Sequence, residues 1–137
     1  MDNRIPQSLE QLLEKYDFHP ECLNEIIGFI RESGRVLDFY RQFSHNTEML
    51  RKLGINATEN KNFEKLKKAE NLYSMRIKTR GMNLRIIYTY RNCKLALLLC
   101  TFHERSDSKD TYRKYIPTAQ KRMKEMEEEE WHIIKGL

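Results

Sequence analysis

Four cationic side chains lie on two adjacent segments whose apolar residues alternate as they do in β-strands. Arg76, Lys78 and Arg80 occupy every second position, so a strand would place all three on one face of a sheet. Arg85 opens the next segment and can share that face. Because four like charges repel each other, the pattern favours a bound anion such as a phosphodiester. On the residues alone, an open sheet face from which these long side chains reach solvent is an equal alternative.

A second polar group follows the next apolar segment and contains side chains of acid, base and electrophile types. Its members are His103, Glu104, Arg105, Lys109, Tyr112 and Tyr115. Beside the cationic strands, such groups can take a proton from a ribose 2′-hydroxyl and give one to the leaving 5′-oxygen. They can also neutralise the charge of a phosphorane transition state. A lone histidine after a strand is more often a half-buried polar residue, and only the neighbouring cations favour catalysis by His103.

Residues for metal or nucleotide chemistry are scattered. His19 and Cys22 lack a second pair at ligand spacing, and no Walker loop, G-x-G-x-x-G or G-x-S-x-G motif is present. We therefore expect neither a metal nor a cofactor. Cys22, Cys93 and Cys100 are odd in number and widely spaced, which suits free thiols in a reducing compartment.

The charge is concentrated in one part of the chain. The 137 residues suit one modest domain with a net charge of +5, yet residues 61–124 alone carry 17 basic and 5 acidic side chains. This excess predicts a polyanion as partner, because clustered Lys and Arg bind phosphates by counterion release. The longest apolar run, residues 95–100, is far shorter than the roughly 20 residues of a membrane-spanning helix. With no apolar signal segment in the first twenty residues, we expect a cytoplasmic protein that does not enter a membrane.

Helical spacing of apolar residues predicts three helices ahead of the strands. The first follows Pro6, the second runs from Pro20 to a stop at Ser33 and Gly34, and the third runs from about residue 35 to 53. After them we expect a polar loop over residues 56–62 and a short turn over residues 63–66.

Alternating apolar residues then predict three antiparallel strands, over about residues 71–79, 84–91 and 94–102. The third is apolar on both faces, which predicts a place at the sheet centre under covering helices. A final amphipathic helix should begin near Ile116, because Pro117 disfavours a helix interior. The predicted fold is α+β: a small antiparallel β-sheet packed against an N-terminal helical hairpin and a C-terminal helix, with extra N-terminal helices.

Residues 72–80 and 84–88 resemble the RelE and HigB superfamily of toxins from toxin–antitoxin systems. The likeness continues through residues 97–102 and 119–122, and covers about residues 35–124. It implies endonucleolytic cleavage of mRNA, usually on the translating ribosome, with a cognate antitoxin protein as a further partner. Attack by the 2′-hydroxyl would leave a 2′,3′-cyclic phosphate and a 5′-hydroxyl without any metal.

The resemblance also implies roles for the arginines and lysines. Arg76 and Lys78 match strand positions that bind or activate the scissile phosphate, and Arg80 matches a further phosphate contact. Arg85 matches the transition-state arginine, and Arg105 resembles the arginine that follows the last strand. These positions make mRNA the expected substrate of the basic segment.

The general base stays open between three residues. The tyrosine of the superfamily near the C-terminal helix matches Tyr112 or Tyr115, and His103 is a substitute. We expect Lys109 and Lys121 to add contacts to RNA.

Residues 1–34 depart from the compact members of the superfamily, so we interpret them as an N-terminal helical extension and residues 35–137 as the toxin domain. The extension could pack on the sheet, add a dimer surface or modulate access to the basic face. Two other functions compete with cleavage. A nonenzymatic ParE-like toxin would inhibit a protein such as DNA gyrase and would need no acid or base. A basic RNA-binding module would bind RNA in a salt-sensitive way and leave it intact.

Overall fold

The computed structural model describes residues 7–91, 95–104 and 108–135. The first part of the chain is helical apart from one short strand. Its elements are α1 (Gln7–Glu14), β1 (Asp17–Phe18), α2 (Pro20–Ser33) and α3 (Val36–Leu53). The three predicted helices are therefore confirmed. The stop after α2 is made by Gly34, whose left-handed backbone (φ 66°) lets its N–H donate to the carbonyl of Ile30.

The second part of the chain contains four strands and one long helix. After a 3₁₀ helix (Gly54–Glu59) come β2 (Phe63–Lys65), β3 (Tyr73–Thr79), β4 (Met82–Tyr90), β5 (Ala96–His103) and α4 (Ser108–Lys135). The three long strands confirm those predicted. The turn expected over residues 63–66 is wrong, because β2 pairs with β3 and places Phe63 opposite Met75. Three residues are too few for alternation to reveal a strand.

The strands form one sheet in the order β1-β5-β4-β3-β2. Strands β2 to β5 are antiparallel, whereas β1 runs parallel to β5, with Asp17 opposite Leu97 and Phe18 opposite Leu98. The sheet is therefore mixed within a small α+β fold. Strand β5 does not take the predicted central place, which belongs to β4. The predicted cover of β5 by helices is confirmed, since every residue of β5 except His103 is buried.

Helices cover both faces of the sheet, so the protein has two apolar layers. On one face, α1, α2 and α3 supply Leu9, Ile26 and Phe43 to a core that includes Met75 and Ile86 of the strands. On the other face, α4 packs its apolar positions against the sheet. That smaller core contains Ile87, Leu99, Phe102 and Ala119, with Tyr112, Tyr115, Ile116 and Met123 at its edge.

The last helix starts eight residues before the predicted position at Ile116, because α4 begins at Ser108 and continues through Pro117. Proline lacks the backbone N–H, so one carbonyl of the preceding turn loses its intrahelical partner. Pro117 lies on the exposed side of α4, where water can hydrate that carbonyl. The helix is thus kept by packing of its apolar face despite the proline.

The outer edge of β5 is covered by side chains beyond the short β1. Glu25 of α2 accepts a hydrogen bond from the N–H of Thr101 at 3.1 Å. Arg122 of α4 donates to the carbonyl of Leu99 at 3.0 Å and pairs with Glu25 at 2.7 Å. This ion pair joins the helices of the two faces around the sheet edge. It also satisfies backbone groups that could otherwise pair with a strand of another molecule.

Candidate active site

The two strand arginines lie together on the sheet face that α4 partly covers. Arg76 of β3 is paired directly with Arg85 of β4, so the prediction that they share a face is confirmed. Lys78 is on the same face opposite Asn83 and is exposed, and Arg80 is exposed in the turn that follows β3. The structure thus brings Arg76 and Arg85 together and leaves Lys78 and Arg80 towards solvent.

Arg85 is held by two carboxylates of the chain itself. Its Nε lies 2.5 Å from Oε2 of Glu104, and only 14% and 10% of the two side chains are exposed. A second carboxylate, Glu64, lies 3.9 Å from Nη1 of Arg85 and has 52% of its side chain exposed. The predicted repulsion among the cations is therefore relieved in part by internal anions. The sequence predicts a turn over residues 63–66 and therefore misses Glu64; β2 places Glu64 opposite Ser74, on the arginine face.

Tyr112 closes this site from α4. Its hydroxyl lies 2.6 Å from Oγ of Ser74, and the guanidinium carbon of Arg85 lies 6.0 Å from its ring centroid. The ring packs edge-to-face against Phe102. Burial raises the pKa of Tyr112 above its ordinary value, against smaller opposing effects of Ser74 and Arg85. The phenol of Tyr112 is therefore protonated at neutral pH.

The structure separates the two tyrosines that the sequence left open. The ring of Tyr115 stacks on Phe102 with 4.5 Å between ring centroids. Nζ of Lys114 lies 5.4 Å from the centroid of the Tyr115 ring. Tyr115 is thus a packing residue of the smaller core. Only Tyr112 of the pair reaches Ser74 and Arg85.

The backbone of Arg76 is fixed from two sides. Its N–H donates to the carbonyl of Asn62 at 2.8 Å, and its carbonyl accepts from Nδ2 of Asn46 at 2.8 Å. Asn46 is fully buried in α3 and accepts in turn from Gln42. Within the described residues, Nε of Arg76 is buried without a hydrogen-bond partner. A donor of this kind is available to a further acceptor at the site.

His103 is not brought to the arginine face. It pairs with Leu84, and alternation places both on the face opposite Arg85. Its side chain is exposed at a cavity that Glu104 also lines. His103 therefore does not join Arg85 on one face, and its role as a base stays a prediction.

The remaining predicted residues lie outside this cluster or outside the described structure. Arg105 falls outside the described residues, and Lys109 lies in α4 without a described side chain. Lys121 is exposed on α4 and lies nine positions after Tyr112, which is about 14 Å along a helix.

Among the described residues there is neither a candidate metal-binding group nor a helix that could span a membrane. No group of three His, Cys, Asp or Glu is placed to share a metal within the ranges that the structure describes. No helix in those ranges is long and apolar enough to cross a membrane. Cys22 and Cys100 are free, buried thiols, whereas Cys93 lies outside the described residues.

The model of the phage-derived Gp49-like proteins (DUF891) matches residues 37–124, and the chain belongs to this family. The family is part of the RelE/HigB-like superfamily of toxins from toxin–antitoxin systems. The matched part runs from α3 into α4 and includes Glu64, Arg85 and Tyr112. No curated protein and no solved structure matches the chain. Membership is compatible with a toxin that has a cognate antitoxin partner.

Proposed function

We propose that the protein is a toxin that cleaves mRNA endonucleolytically, without a metal, at the site around Arg85. The observation that carries the proposal is the convergence of Arg85, Glu64 and Tyr112. One cation, one accessible carboxylate and one protonated phenol are the three groups that cleavage by a ribose 2′-hydroxyl requires. The basic segment of residues 61–124 supports an RNA substrate and association with the ribosome.

Glu64 is the proposed general base. It is half exposed, so a bound ribose can reach it, whereas Glu104 is shielded and fully engaged with Arg85. Glu64 takes the proton of the 2′-hydroxyl as the 2′-oxygen forms its bond to phosphorus. Arg85, with Arg76 beside it, stabilises the charge that develops on the phosphorane oxygens.

Tyr112 is the proposed general acid. As the bond between phosphorus and the 5′-oxygen breaks, Tyr112 donates its proton to that oxygen, which leaves as a 5′-hydroxyl. The other product carries a 2′,3′-cyclic phosphate, and exchange with water returns the proton from Glu64 to Tyr112. Ser74 positions the phenol through its 2.6 Å hydrogen bond, and Glu104 positions the guanidinium of Arg85.

The test is cleavage of mRNA in EDTA, with and without translating ribosomes, and analysis of the 3′ ends of the products. We expect a cyclic phosphate or its 3′-phosphate hydrolysis product, and a loss of about 10²-fold or more in Arg85→Ala. Arg51→Ala is the matched control, because Arg51 is an exposed arginine of α3 paired with Glu48. Intact RNA in both conditions, from folded protein free of antitoxin, would contradict the proposal and favour a protein target such as DNA gyrase or RNA binding without cleavage.

A further inference from the structure

A cavity of about 490 Å³ lies between the C-terminal end of α2 and the adjacent ends of β4 and β5. The apolar residues of its lining are Phe29, Met82 and Leu84. The ionisable ones are Glu32, His103 and Glu104. The volume lies within the range of small-ligand sites. The catalytic steps proposed above give this cavity no role.

The cavity and the arginine site share one side chain. Glu104 lines the cavity and also binds Nε of Arg85 on the other side of the strands. A ligand that contacts Glu104 in the cavity therefore touches the carboxylate that orients Arg85.

The chemistry of the lining selects against a phosphate or a metal ion. Glu32 and Glu104 repel an anion, and no three metal-ligating residues are placed together within the described ranges. A flat aromatic ligand that donates hydrogen bonds suits the cavity better, because the partly exposed Phe29 offers an apolar contact and the carboxylates only accept. A nucleobase has both properties.

Among the four RNA bases, guanine matches a carboxylate best. It presents two adjacent donors, N1–H and the N2 amino group, which one carboxylate can accept in parallel. Adenine and cytosine place an acceptor beside their amino group, and uracil has a single donor between two acceptors. A carboxylate repels each of those acceptors. His103 at the cavity can donate to the O6 or N7 acceptors of guanine.

We propose that this cavity binds the guanine base of an RNA nucleotide next to the scissile phosphate, with the Glu32 carboxylate accepting from its Watson–Crick edge. This inference rests on the proposed function for the RNA, but the recognition of the base does not require cleavage. Helix α2, which lies ahead of the residues matched by the family model, thereby supplies specificity to the arginine site.

The first experiment measures binding of free nucleosides to the intact protein by NMR titration. Guanosine should bind more tightly than inosine, which lacks the N2 amino group, and adenosine should bind most weakly. Glu32→Gln should weaken guanosine binding about tenfold or more. Glu21→Gln, an exposed glutamate at the other end of α2, should leave it unchanged. Equal binding of guanosine and adenosine, or no effect of Glu32→Gln, would overturn the assignment of the cavity.

The second experiment maps cleavage in oligoribonucleotides that differ at one position between guanosine and adenosine. The wild-type protein should cleave next to guanosine, Glu32→Gln should lose this preference, and Glu21→Gln should keep it. Guanosine binding without any cleavage would contradict the proposed function and leave the cavity assigned. Cleavage without any preference, and without guanosine binding, would contradict the cavity and leave the function standing.

Discussion

Arg85 and Glu104 form a hydrogen-bonded ion pair in which Nε lies 2.5 Å from Oε2 and both side chains are largely shielded from water. Arg85 comes from β4 and Glu104 follows the last residue of β5, so the pair ties the ends of two neighbouring strands together. Nη1 of Arg85 meets the exposed Glu64, so the side chain that would bind a phosphate is oriented before RNA arrives.

Removing one partner of this pair should destabilise the fold more than removing both. We expect Glu104→Ala and Arg85→Ala each to lower the free energy of unfolding by about 3 kcal/mol, because each leaves a poorly hydrated charge behind. The double variant should lose clearly less than the sum. A double-mutant cycle from urea unfolding measures the coupling, and additive losses would contradict the pair as described.

Tyr112→Phe should separate proton donation from stability. The variant keeps the ring on Phe102 but loses the hydrogen bond to Ser74, so we expect a loss of unfolding free energy near 1 kcal/mol. Cleavage should fall about 10²-fold through loss of the acid. Tyr115→Phe is the matched control, since its ring also packs on Phe102. Equal cleavage by both variants would exclude Tyr112 as the proton donor.

The hydrogen bond from the buried amide of Asn46 to β3 should contribute strongly to the stability of the fold. Asn46→Ala leaves the carbonyl of Arg76 without its donor, so we expect a cost of about 2 kcal/mol in unfolding free energy. Asn24→Ala, at an exposed position of α2, should cost less than about 0.5 kcal/mol. Thermal and urea unfolding measure both, and equal effects would show that the contact to Arg76 contributes nothing specific.

Arg122→Ala should expose the edge of β5. The variant leaves the carbonyl of Leu99 and the carboxylate of Glu25 without their cation, and an unpaired strand edge promotes association. We expect light scattering to show concentration-dependent aggregation that the wild-type protein lacks. Lys121→Ala, which removes the adjacent exposed cation of α4, should stay monodisperse under the same conditions. Identical behaviour of the two variants would remove this function from the Glu25–Arg122 pair.

The two described thiols should be inert in the folded protein. Burial raises the pKa of Cys100 from 9.0 to about 12 and also raises the pKa of Cys22. In a Cys93→Ser background, DTNB at pH 8 should react only after unfolding. The unfolded thiols lose their protons first, so the stability that they contribute is complete below pH 9 and falls as the pH rises above 9, up to about pH 12 for Cys100. Urea unfolding should show a shallower fall above pH 9 after the further change Cys100→Ala.

Strong periodicity and local chemistry made most of the elements predictable from the sequence. The Ser33 and Gly34 stop, the helix up to Leu53 and the shared face of Arg76 and Arg85 all depend on contacts between near neighbours. Strands β1 and β2 are too short for a period, and they exist only through pairing with distant residues. Pro117 predicts a helix boundary from its local chemistry, but packing on the sheet maintains the helix through it.

The candidate site was predictable where its residues lie on long strands. Glu64 was missed for the same reason as β2, since its position on the arginine face depends on pairing with Ser74. His103 and Glu104 are adjacent in sequence, yet Glu104 binds Arg85, whereas His103 pairs with Leu84 on the opposite face. Their separation depends on the register with Leu84, which composition and spacing do not determine.

The pairing of β1 with β5 has a consequence for how the protein is made. Phe18 is translated early but gains its strand partner, Leu98, only after most of the sheet has left the ribosome. Arg85 likewise gains its ion-pair partner only when Glu104 is made, and Ser74 gains its hydrogen-bond partner only when Tyr112 of the last helix is made. A nascent chain therefore carries no assembled site until α4 has been synthesised.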